Sequence, residues 1–230
     1  MLAGGVAGAF TVATQGLAVA VIGVSLFTVG VVAGQTISGL VLDRAGYGPA
    51  GVVAITVPRL IGGLLALIAV GVSLQDGVLE QVPWWMLVMP VIAGVGIAWQ
   101  QATNGRLRQR VGTPLTATLV NFIGGTTMLV IAAAVHVALV GAPAAFPVEP
   151  WLYLGGVIGV TYIFMSAALV VHTGVLLLGL GTVAGQLVTA FALDALWPAA
   201  ASPGWTTELL MVIVAGAGVV IAAAPGAARR

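Results

Sequence analysis

This chain contains one stretch twice. Residues 30–43 read GVVAGQTISGLVLD and residues 181–194 read GTVAGQLVTAFALD. Sliding the chain by 151 positions superposes them without a gap. The match reaches back to Gly4-Gly5-Val6 and Gly8 over Gly155-Gly156-Val157 and Gly159, and fifteen of the forty positions from 4 to 43 are identical. A period this long, with its spacing kept, describes two related bundles of helices in one chain rather than a short solenoid repeat.

Those bundles need a solvent, and composition names it. Of the 230 residues, 60% are hydrophobic and 6% are charged, with a mean hydropathy of +1.19. A soluble domain carries about a quarter charged residues and cannot hide this much apolar surface, so lipid surrounds most of the chain. The 33 glycines suit transmembrane helices, whose backbones approach closely at small residues. A net charge of +1 gives nucleic acid no purchase, and the absence of Cys rules out disulfides and thiolate chemistry.

A transmembrane helix takes about 17–25 apolar residues. The runs predict an all-α polytopic membrane protein with eight transmembrane helices: Leu2–Val19, Ser25–Leu42, Pro58–Leu74, Trp84–Asn104, Leu115–Val140, one from Trp151, Gly174–Leu193 and Glu208–Ala224. A tight turn near Gly23 joins the first two, and Trp84-Trp85 reads as an interfacial belt. Residues 105–114 are expected to be a loop carrying Arg106, Arg108 and Arg110, a topology determinant with anionic-lipid contact as a secondary use.

Charge checks the count. With eight helices, Arg44, Arg59, Arg106, Arg108, Arg110, Arg229 and Arg230 share one side, while Asp76, Glu80, Glu149, Asp194 and Glu208 take the other. Asp43 is then the one acid among the arginines. The positive-inside rule makes both termini cytoplasmic. The two repeats then lie upside down relative to each other, the architecture of many secondary transporters.

The polar residues inside these runs are the site candidates. Gln35 and Gln186 lie eight residues before Asp43 and Asp194, about 12 Å along each helix, near the membrane midplane. There a polar side chain either lines a cavity or ties helices together. Gln100, Gln101 and Asn104 on the fourth helix and Asn121 and Thr126 on the fifth are expected to line a pathway or to tie off helix ends, with Asn104 before Gly105 also a C-cap. Gln15, opposite Ser166 in the repeat, and Tyr162 complete the substrate-binding candidates. The spacings Gly4/Gly8, Gly30/Gly34, Gly155/Gly159 and Gly181/Gly185 read as packing seams. No metal or cofactor site and no nucleophile–base pair is expected, which argues against an enzyme. No acid is placed within the membrane, which favours a neutral, zwitterionic or amphipathic substrate over a compact ion.

Several of these motifs carry a family resemblance. The segment 100–107 (QQATNGRL), Val111-Gly112-Thr113-Pro114-Leu115, Asn121-Phe122 with Gly125-Thr126, and both AGQ stretches with Asp43 and Asp194 resemble the YdcZ (DUF606) branch of the drug/metabolite transporter superfamily. The resemblance implies two inverted five-helix repeats and an exporter of the bacterial inner membrane, handling a small molecule by alternating access. Against that pattern residues 1–80 form a partial repeat of three helices and residues 81–230 a complete one of five. The first two helices of the pattern have no counterpart, so either the start is set too late or a short member completes its fold through a homodimer or a second subunit. The alternative functions are a non-transporting scaffold or assembly subunit and a lipid flippase-like protein.

Overall fold

A computed structural model of the chain describes residues 3–72, 84–143, 145–196 and 205–224. Among the described residues are six α-helices and one short 3-10 turn (Pro150–Tyr153): α1 Ala3–Arg44, α2 Val57–Gly71, α3 Trp84–Val111, α4 Pro114–Val140, α5 Leu154–Leu196 and α6 Trp205–Ala223. Among them are four helices long and apolar enough to cross a membrane and two shorter apolar ones, Gly4–Val19 and Val57–Gly71. Expectations for residues 75–83, with Asp76 and Glu80, for the Asp194 side chain and for Arg229 and Arg230 lie outside the described residues.

The two longest helices double back. Were α1 straight, Gly4 and Gly34 would stand about 45 Å apart at 1.5 Å per residue. Both nevertheless lie against α3, at Asn104 and at Val91, which are only about 20 Å apart on the same count. Early in α1, rising numbers meet falling ones in α3, Gly4 beside Asn104 and Gly8 beside Gln100. Later the sense inverts, with Gly30 on Pro90 and Gly34 on Val91. Ala18, Ile22 and Phe27 share one apolar cluster with Met86 and Leu87, which puts the reversal between residues 19 and 27, where the turn near Gly23 is expected.

α5 repeats the manoeuvre. Tyr162 meets Gln101 and Ala168 meets Arg108, so its first part runs with α3. Leu176 then meets Gly39, and Gly179 meets Gln35, so its second part runs against the end of α1. The break is Gly174, at φ 76° and ψ 174°, a left-handed backbone that glycine adopts without steric cost. Gly23 and Gly174 are 151 positions apart, and so are Val32 and Val183, which share a buried cluster with Val70. The two second halves thus cross, antiparallel, at the same position of each repeat.

Three further details place the site. α3 continues through the expected arginine loop to Val111. It stops at Gly112, at φ 78°, whose N–H bonds the Arg108 carbonyl at 2.8 Å. α4 begins at Pro114, with the Thr113 hydroxyl accepting the Leu115 N–H at 3.2 Å. α2 packs on α6, where Gly62 meets Gly218 and Ala222.

Candidate substrate cavity

The crossing of α1 and α5 leaves a cavity of about 470 Å³ beside it. Three pairs of its lining residues are repeat equivalents: Thr11 and Tyr162, Val31 and Thr182, Gln35 and Gln186. The cavity therefore lies at the meeting of the two repeats. From the second half of α1 it takes Phe27 to Gln35 and nothing nearer Asp43, so it occupies the part of the bundle away from Asp43.

Four of the expected site residues line it directly: Gln15, Gln35, Gln186 and Tyr162. Gln101 stands behind them. Its Nε2 donates to the Tyr162 hydroxyl at 3.2 Å, and its Oε1 accepts from Gln35 Nε2 at a long 3.5 Å. Gln101 is 2% exposed, so these two bonds replace the water it loses. Gln35 also presses on Gly179, where a Cβ would collide with its amide. Gln186 stays open to the cavity.

The remaining candidates lie elsewhere. Asn121 Oδ1 accepts from both Gln100 Nε2 and Asn104 Nδ2, each at 3.0 Å. This cluster packs on Gly4, Gly5 and Gly8 of α1 and joins α1, α3 and α4. Asn104 sits seven residues inside α3, so it caps nothing. Thr126 lies with Phe122 and Ile123 on the open outer face of α4.

The end of the bundle away from the cavity is tied shut. Asp43, 1% exposed, accepts from the backbone N–H groups of Val175 at 2.8 Å and Leu176 at 3.1 Å, and its carboxylate pairs with Arg59. It therefore caps the helix that restarts after Gly174, using a side chain 132 residues away. Arg106 donates to the Tyr47 carbonyl at 3.4 Å and stacks over that ring at 4.7 Å. Arg108 donates to the Ala168 carbonyl at 2.6 Å, and Gln109 to the Pro49 carbonyl at 2.6 Å. Two of the three arginines expected in a loop are thus structural ties.

Sequence reasoning did not single out the one carboxylate among the described lining residues. Glu208, expected outside the membrane, lies in the first turn of α6 and lines the cavity beside Met211. Its repeat counterpart is Val57, so the duplication gives no hint of it. The cue available was a lone acid, one helical turn before Met211, opening an apolar helix.

The seams also divide. A Cβ on Gly5 or Gly34 would overlap the backbone of a neighbouring helix, whereas Gly155, Gly156, Gly181 and Gly185 have open space around them and Gly159 meets only Phe122. The expected seams of the second repeat are unoccupied among the described residues.

No curated protein and no solved structure matches the chain significantly. A family model described as "Putative inner membrane exporter, YdcZ" matches residues 1–74 and 84–221. That match takes in both copies of the duplicated stretch and every described lining residue of the cavity, and the chain belongs to the YdcZ family.

Proposed function

We propose that this chain is a small-molecule exporter that works by alternating access between two inverted repeats. The observation that carries the reading is the cavity at the crossing of α1 and α5, lined by three pairs of repeat-equivalent residues. Repeats that meet at a cavity supply two nearly equivalent packings, one open to each side. Counting each doubled-back helix as two gives eight spans, and the arginines then put the termini and the Asp43 end on the cytoplasmic side. The cavity in this state belongs to the outer half, the release state of an exporter. Gln35, Gln186, Gln15 and Tyr162 contact the substrate, with Gln101 holding Tyr162 and Gln35 in place. Transport is the whole activity on this reading, with no enzymatic step.

The test is transport by purified protein in liposomes. Gln35→Leu combined with Gln186→Leu should reduce uptake or efflux to background while the variant still elutes as a single folded species. Full transport by that double variant removes the substrate from this cavity.

One observation favours an assembly around the same fold. Gly4 and Gly5 receive α3 and α4, while their counterparts Gly155 and Gly156 face open space, and α4 is exposed from Thr126 to Val140. The occupant we propose is a second copy of this chain. Light scattering in detergent should return twice the 22.9 kDa of one chain. A monomer that transports at full rate rules the dimer out.

A further inference from the structure

We infer that the cavity recognises organic cations, with the Glu208 carboxylate as their counter-charge; the inference rests on the transporter reading and names its substrate class. Among the described residues that line the cavity Glu208 is the one carboxylate, and none is Arg or His. The chain has no Lys. A carboxylate at the edge of a low-dielectric bundle is less screened than in water, and an ionisable side chain in such a place marks a substrate or ion path.

The rest of the lining specifies what kind of cation. Phe27, Tyr162 and Phe191 bring aromatic rings to the cavity, and ring faces attract cations. Gln15, Gln35 and Gln186 add amides able to donate or accept. A bare metal ion needs several oxygen ligands within about 2–2.6 Å. Among the described residues no three His, Asp or Glu side chains gather at such a site. A volume of about 470 Å³ falls within the range of small-molecule sites. The fitting ligand is an amine or quaternary ammonium with an apolar, ring-sized body.

A simpler role for Glu208 exists: a carboxylate in the first turn interacts favourably with the free N–H groups of its own helix. That placement explains an acid at this position. It does not explain why the acid shares a cavity with three amides and three aromatic rings.

The experiment is calorimetric titration of the full-length protein in detergent with three probes of similar size: benzyltrimethylammonium, N,N-dimethylbenzamide and benzenesulfonate. The cation should bind at least tenfold more tightly than the neutral amide, and the sulfonate should not bind. Glu208→Gln should weaken the cation tenfold or more and leave the amide unchanged, while Glu208→Asp keeps cation binding within about threefold. Equal cation affinity in wild type and Glu208→Gln overturns the inference. So does tighter binding of the amide or the sulfonate. If that tighter binding is lost in the Gln35→Leu, Gln186→Leu variant, the transporter cavity stands and only the cation falls. Silence from all three probes overturns the inference too and leaves the transporter reading to the liposome assay. Should Glu208→Gln not fold, carbodiimide labelling of Glu208 in the wild type, read by mass spectrometry, decides the matter. Benzyltrimethylammonium should slow it several-fold, and an unchanged rate overturns the inference.

Discussion

Moving a carboxylate out of water costs several kcal/mol unless partners replace its hydration, and Asp43 has three. Two are the Val175 and Leu176 N–H groups and the third is Arg59. Each depends on the others: the N–H groups are free because Gly174 interrupts α5, and Arg59 is 8% exposed only because Asp43 neutralises it. Removing one member of a buried pair typically costs about 3–5 kcal/mol because the other is left unpaired. Asp43→Ala strands both Arg59 and two backbone donors. It should lie at the upper end of that range, measured by thermal unfolding in detergent. Asp43→Ala with Arg59→Met removes both charges and should cost less than the sum of the two single substitutions. Additive losses would show that the pair is not coupled.

At the level of helices, the same residue type serves three purposes here. Gly174 turns the chain, Gly34 and Gly94 let α1 and α3 touch backbone to backbone, and Gly185 does neither. A sequence shows the glycine and not its neighbour. Gly105 is the instructive case: it reads as a helix stop after Asn104, yet it lies inside α3 where a side chain would strike Val170 and Pro49. The true stop, Gly112, comes seven residues later. By contrast, the apolar runs from Pro58, Trp84, Leu115 and Glu208 begin within a few residues of α2, α3, α4 and α6, because lipid forces each span to be long and apolar. The repeat register carries Gly23, where a turn is expected, onto Gly174, where α5 breaks. Gln35 and Gln186 stood out by their depth, as cavity lining or as ties between helices; both line the cavity, and Gln35 also bonds Gln101 of α3. Glu208 did not stand out, because its facing depends on how α6 packs and the duplication leaves it unmatched. The contrast between seams can be measured. Gly34→Ala must push against the Val91 backbone and should cost about 1–3 kcal/mol or more. Gly185→Ala, at the equivalent position with nothing within 4 Å, should change stability by less than about 1 kcal/mol. Equal losses at both positions would mean that the second-repeat seam is filled in the working protein.

Over the whole molecule the repeats are alike in backbone and unlike in chemistry. Carrying the 151-residue register on without a gap sets Asp194 over Asp43 but Leu210 over Arg59. For a carrier of the proposed kind, the state open to the other side would exchange the partners, and a latch built on Asp194 would have no arginine from this register. Two latches of unequal strength give unequal resting populations, and each 1.4 kcal/mol between them is a factor of about ten. The unloaded protein should therefore spend most of its time with the Asp43 end shut, waiting with its cavity on one side. Because the chain has no cysteine of its own, Leu187→Cys gives a clean reporter at the cavity wall. Adding Arg59→Leu makes the two ends alike and should slow its reaction with an impermeant maleimide several-fold. An unchanged rate would place the bias elsewhere in the bundle. The arginine that has no twin would then act as a clock setting, deciding how long the carrier dwells on each side of its cycle.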